Sequence, residues 1–122
     1  MVNNMKRLFF MIIICLCLCG CAKNTESSIN SITCSDKDTL VKKGAVLIDV
    51  REDYEYNEEH LDNAINIPYT VILDNIDKYA STDSDIILYC KSGKRASIAA
   101  LTLKEAGYKH IYNLGGISNC KE

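Results

Sequence analysis

The chain has 122 residues, a formal net charge of −2, 48% apolar residues and 25% charged ones. That length holds one small domain and not two, and the charge balance leaves no basic footprint for nucleic acid. The seven cysteines lack the close pairs of a zinc site, so no metal is expected.

Residues 1–7 end in Lys6 and Arg7, and Leu8 to Cys19 is a continuous apolar run. At about a dozen residues the run is too short for a membrane-spanning helix, which needs roughly twenty. It has the charged start and apolar centre of a secretory signal. The run closes with Leu18-Cys19-Gly20-Cys21, which resembles the lipobox of bacterial lipoproteins: an aliphatic residue, two small ones and a cysteine. Cys19 stands where Ala or Ser is commoner. The resemblance implies a diacylglycerol on Cys21, cleavage before it, and a lipid anchor at the outer face of the cytoplasmic membrane. The plainer alternative is an uncleaved apolar anchor, and both tether the domain to a membrane. Loss of residues 1–20 removes Lys6 and Arg7 and takes the formal charge from −2 to −4. Residues 21–31 then form the lipidated cysteine and a polar, Ser/Asn-rich flexible tether, and residues 32–122 form the domain.

Within the domain, helix and strand patterns alternate. Ser35, followed three residues on by Asp38, predicts a helix N-cap. Lys42 and Lys43 in the last turn and Gly44 after it predict the end. Val46 to Val50 is an aliphatic, β-branched run of a strand buried on both faces. Residues 51–63 are charged and Tyr-rich, a loop with a short helix. Ala64 to Ile67 is a short strand stopped by Pro68. Ile72, Ile76 and Tyr79 recur at helical spacing. Ile86 to Tyr89 is another buried strand. After a loop from Cys90 to Arg95, Ala96, Ala99, Ala100, Leu103 and Ala106 form an apolar helical stripe, ended by Gly107. Ile111 to Leu114 is a last strand. The alternation predicts an α/β fold: a parallel β-sheet with helices on both faces.

The loop Cys90-Lys91-Ser92-Gly93-Lys94-Arg95 carries the chemistry. A buried strand delivers Cys90 to its carboxyl end, the edge at which open α/β sheets bind ligands. The following helix directs its free N–H groups back at the loop and favours an anion there. Lys91, Lys94 and Arg95 add positive charge. Such a cradle favours the nucleophilic thiolate and holds a persulfide anion or an oxyanion. Loops of this type also serve phosphatases, so the loop alone leaves the reaction open.

Residues 47–68, LIDVREDYEYNEEHLDNAINIP, resemble the first signature of rhodanese domains. It runs from an aliphatic strand ending Asp49-Val50-Arg51, through His60-Leu61, to Ala64-Ile65-Asn66-Ile67-Pro68. CKSGKRA (residues 90–96) resembles the active-site loop of single-domain rhodaneses, and YNLGGI (residues 112–117) their closing motif. The resemblance covers about residues 32 to 120. It implies a sulfurtransferase that moves sulfane sulfur from thiosulfate or polysulfide to a thiol or cyanide through a Cys90 persulfide, with no metal or organic cofactor. In this superfamily six residues from Cys through Arg mark sulfur transfer, and seven mark phosphatases and arsenate reductases. Cys90 to Arg95 is six.

Around Cys90, Lys91, Ser92, Gly93, Lys94 and Arg95 are the candidate substrate-binding residues, with Asp49 and Arg51 as supporting residues that tie the strand end to its loops. Arg95 faces either the anion or a neighbouring carboxylate. Ser92 can donate to the persulfide, and Lys91 and Lys94 can steer anionic donors. His60 is read as structural. Cys120 stands near the family's usual Trp. Cys34 and Cys120 are read by default as small buried hydrophobes, with resolving thiols or a disulfide as the alternatives. The competing functions are a persulfide carrier without turnover, an oxyanion reductase or phosphatase, and an inactive structural module.

Overall fold

Runs of aliphatic residues at the centre of the chain build a five-stranded, all-parallel sheet in the computed structural model, which describes residues 28–121. The strands are β1 (Ser28–Ser31), β2 (Val46–Asp49), β3 (Ile65–Asn66), β4 (Asp85–Cys90) and β5 (His110–Gly116), in the order β1-β5-β4-β2-β3. The helices are α1 (Cys34–Lys42), α2 (Asp53–Glu58), α3 (Ile72–Asn75) and α4 (Lys94–Glu105). Short 3-10 turns span Tyr69–Val71, Ile76–Lys78 and Ile117–Cys120.

Strand alternation divides the core. Ile48, Ile86, Leu88 and Cys90 pack on one face with Ala96, Ala99, Ala100 and Leu103 of α4 and with Ile72 and Ile76. Leu47, Ile87 and Tyr89 pack on the other with Leu40 and Val41 of α1 and Tyr56 of α2. Each fully buried Leu or Ile contributes about 1.5–3 kcal/mol. The alanines of α4 lack side-chain bulk and let that helix lie close to β4. The α/β class, with helices on both faces of a parallel sheet, is as the sequence predicts.

Several boundaries differ. The tether was expected to reach residue 31, but Ser28–Ser31 pairs in parallel with His110–Asn113 of β5 as an edge strand. An edge strand needs its backbone more than an apolar face, and here Ile29 alone packs on the core. The N-cap of α1 is Thr33 and not Ser35: Thr33 Oγ1 accepts from the Asp36 N–H at 3.2 Å, and Asp36 Oδ2 accepts from the Thr33 N–H at 2.9 Å. The capping box lies two residues earlier than the Ser35/Asp38 pair. The helix expected through Ile72, Ile76 and Tyr79 is a single α-turn between two 3-10 turns, which buries the isoleucines and leaves Tyr79 exposed. β5 runs on to Gly116 because a bulge shifts the register between Leu88 and Tyr89: Leu88 faces Asn113, and Tyr89 faces Gly115.

The strand order places the site. From β2 the chain moves outward to β3, then returns past β2 to β4. The elements after β2 and β4 therefore leave in opposite directions, and their helices α2 and α4 cover opposite faces. The crevice at the carboxyl ends of β2 and β4 is such a sheet's switch point. Asp49 and Cys90 end these two strands.

Candidate active site

Cys90 is the last residue of β4 and is fully buried. It is the free cysteine among the described residues. Its Sγ accepts a hydrogen bond from the Gly93 N–H at 3.0 Å. Gly93 is the N-cap of the 12-residue α4 and has φ +95°. That left-handed backbone folds the loop back so that an amide meets the sulfur, and only glycine adopts it without strain. The helix N-terminus adds its positive dipole end at the same place.

The loop rests on the end of β5. A Cβ on Gly116 would stand 2.5 Å from the Lys91 carbonyl oxygen, and a Cβ on Gly93 would stand 3.3 Å from Gly115 Cα. Two backbones pass too closely here for any side chain at 116. The sequence shows the Gly115-Gly116 pair but gives no sign that it abuts the cysteine loop.

Lys91, Ser92 and Lys94 are exposed around the loop. Arg95 turns to α2, where its guanidinium forms two bonds to Glu55, Nη1–Oε2 at 2.6 Å and Nη2–Oε1 at 3.0 Å. Of its two expected partners, the structure shows the carboxylate. Glu55 also accepts from the Glu52 N–H at 3.1 Å, so it caps α2 and fastens α2 to the loop. The Arg95 bond drives the Glu55 carboxyl from its ordinary 4.5 to about 2, and Glu55 in turn raises Arg95. A depressed carboxyl stabilises the fold fully above pH 4.5 and loses that contribution as pH falls from there toward 2. The native chain should lose on the order of 1–2 kcal/mol across that window, allowing for partial solvent screening. Glu55→Gln should flatten this acid limb in urea titrations at pH 2 to 6. An unchanged slope would show that the pair adds nothing to stability.

Asp49 and Arg51 form a buried pair, with Arg51 Nη2 2.7 Å from Asp49 Oδ2 and Nε 3.0 Å from Oδ1. The Arg51 N–H also donates to Asp49 Oδ1, and Nη2 donates to the Glu59 carbonyl at 2.6 Å. The Asp49 bonds raise Arg51 above its ordinary value. The pair binds the end of β2 to the end of α2. Asn66 completes the junction by donating to the Asp49 and Arg51 carbonyls. His60 stacks on Tyr56 and lies 2.8 Å from its carbonyl, a structural position. Sequence reasoning missed Tyr89, whose buried hydroxyl accepts from the Leu61 N–H at 3.1 Å.

A cavity of about 310 Å³ opens beside the loop, with Lys91, Arg51, Tyr54, Glu55, Glu58 and Ile117 in its wall. Cys34 and Cys120 are joined as a disulfide, Cα–Cα 5.3 Å. The default reading of buried free thiols is thereby corrected, and neither sulfur is free to resolve a Cys90 persulfide. Cys21 and the signal segment lie outside the described residues.

The family model for the rhodanese-like domain matches residues 35–122. Thiosulfate sulfurtransferase PspE of Escherichia coli is 36% identical over 73 residues, which are 59% of this chain and 70% of that protein. tRNA uridine(34) hydroxylase of Buchnera aphidicola is 37% identical over 84 residues, 63% of this chain but 26% of that one. The chain thus spans about a quarter of that hydroxylase's length. A solved structure described as rhodanese with anions from E. coli aligns with TM-score 0.60 and 32% identity, covering 62% of this chain and 91% of that one.

Proposed function

On the premise that the chain belongs to the rhodanese-like domain family, we propose that it is a sulfurtransferase with Cys90 as its nucleophile. The observation that carries this reading is the Cys90 sulfur at the carboxyl end of β4, bonded to the Gly93 N–H at the start of α4. In the first step the Cys90 thiolate attacks the sulfane sulfur of thiosulfate or a polysulfide. A Cys–S bond forms, the donor's S–S bond breaks, and sulfite or a shortened polysulfide leaves with the electron pair. In the second step cyanide or a thiolate attacks the terminal sulfur and the thiolate returns. The loop amides and the α4 dipole stabilise the anion in both steps. Lys91 and Lys94, exposed at the rim, draw anionic donors toward it.

Loading is tested by intact mass of the full chain in mild detergent. Thiosulfate should add one sulfur atom and cyanide should remove it. No gain from either donor on a folded, reduced sample would overturn the reading. A chain that loads sulfur but passes it to neither cyanide nor thiols is a carrier.

The same reading places a diacylglycerol on Cys21 and the domain outside the cytoplasmic membrane. The apolar run and the Leu18-Cys19-Gly20-Cys21 ending support it. Only residues 22–27 separate Cys21 from β1, a reach of about 25 Å at most. Mass of the membrane-extracted protein should show residues 1–20 removed and the lipid on Cys21. A chain still beginning at Met1 would mean an uncleaved anchor.

A further inference from the structure

Cys34 and Cys120 lie 86 residues apart in the chain and are both half-buried. Cys34 opens α1, and Cys120 ends the 3-10 turn that follows β5 directly. That turn leads back to the cysteine loop through short links. Asn119 Nδ2 donates to the Leu114 carbonyl at 3.0 Å and stands 2.9 Å from where a Gly115 Cβ would be. Gly115 faces Gly93, and Gly116 faces the Lys91 carbonyl, at the distances given above. Cys90 itself pairs in register with Gly116. The wall against which the Cys90 loop is shaped is thus continuous with the segment that the disulfide pins. At its start the segment is anchored by Ile117, buried against Leu114 and Tyr89. Toward Cys120 its other side-chain ties are Asn119 and an exposed Lys121–Glu59 ion pair, and exposed pairs contribute little.

The disulfide is also open to attack. It borders a groove of about 490 Å³ that has Lys37, Asp38, Asn119 and Lys121 in its wall. A groove of this size admits a small reductant or the tip of a protein dithiol.

We propose that Cys34–Cys120 is a reducible switch that holds the Cys90 loop in its working shape, the chain being active when oxidised and slowed when reduced. The reductant is a dithiol. One of its thiolates attacks the Cys120 sulfur. The Cys34–Cys120 bond breaks, and the electron pair leaves on Cys34, at the N-terminal end of a nine-residue helix that favours negative charge. The second thiol of the reductant then displaces Cys120 from the mixed disulfide. Two electrons and two protons pass to the cysteine pair, and the reductant becomes a disulfide. This inference rests on the sulfurtransferase reading for its consequence, which is that transfer is favoured where disulfides persist and restrained in a reducing compartment. Its structural half, the tightening of the loop, does not depend on that reading.

The test uses the full chain in mild detergent, untreated, and reduced with dithiothreitol and then freed of it. Two readouts are taken at 25 °C: thiocyanate formation from thiosulfate and cyanide, and amide hydrogen exchange across residues 91–95 and 115–116. Reduction should slow transfer at least about fivefold and speed exchange in both segments by a similar factor. Reoxidation should restore both. A Cys34→Ala/Cys120→Ala variant should match the reduced chain and no longer respond to dithiothreitol, which separates this bond from the cysteines near the N-terminus. A folded reduced chain with unchanged exchange and an unchanged or higher rate would overturn the switch and leave a structural staple. Unfolding on reduction would overturn it as well, because a switch needs a folded reduced state. If neither form transfers sulfur yet exchange still responds to reduction, the sulfurtransferase reading fails while the loop coupling stands.

Discussion

Cys90→Ser should retain the fold and lose sulfur transfer by more than about a thousandfold, the scale on which removal of a nucleophile acts. The substitution changes one buried atom at the end of β4, and the Gly93 N–H that now meets the sulfur at 3.0 Å still has an acceptor in a serine oxygen. Packing against Ala96 and the β4 neighbours changes little. The chemistry changes entirely. A serine hydroxyl is not ionised at neutral pH, and an oxygen in its place forms no persulfide for an acceptor to cleave. Thiosulfate should therefore add no sulfur to the variant, and thiocyanate should form at the background rate. The fold is checked alongside by urea titration, whose unfolding free energy should move by less than about 1 kcal/mol, as for an isosteric change that keeps its hydrogen bond. A variant that still turns over would remove Cys90 from the mechanism. The disulfide-bonded Cys34 and Cys120 offer no replacement thiol in the oxidised chain.

What the sequence reveals of this fold follows from which interactions are local. β2 and β4 are legible because a strand buried on both faces is an uninterrupted apolar run, and VLID and IILY are such runs. α4 is legible because its alanines repeat at helical spacing, and the cysteine loop because it lies between these two signals. β1 is hidden because Ser28-Ile29-Asn30-Ser31 is polar and earns its place at the sheet edge by backbone pairing with β5. The partner of Arg95 is hidden for another reason. Glu55 is 40 residues away and stands among several acids on α2, and only the tertiary fold selects it. The same holds for the disulfide and for the contact of Gly116 with the Lys91 carbonyl. The cysteine loop is therefore readable in the sequence, while Glu55, the disulfide and the Gly116 contact that border it are not.

At the end of β2, Asp49→Ala should cost about 3–5 kcal/mol, the range for leaving one partner of a buried ion pair alone. Asp49 is fully buried, and Arg51 is 6% exposed. The carboxylate accepts from the Arg51 backbone N–H, Nε and Nη2. With an alanine there, the guanidinium retains the Glu59 carbonyl and the face of Tyr89, 5.9 Å from the ring centroid. Neither replaces a charge. A domain of this size has roughly 5–15 kcal/mol of stability in all, so the variant should sit near the limit of folding, with Tm lowered by about 12–40 °C at 4–8 °C per kcal/mol. Asp49→Asn keeps an acceptor and should cost less, about 1–3 kcal/mol. Replacing both residues by apolar ones of similar size should cost less than Asp49→Ala alone, because no charge is then left unpaired. That ordering separates the penalty of an orphaned charge from the worth of the pair. A loss under about 1 kcal/mol for Asp49→Ala, as an exposed pair would give, would mean that water reaches Arg51 and that the junction between β2 and α2 is looser than its geometry implies.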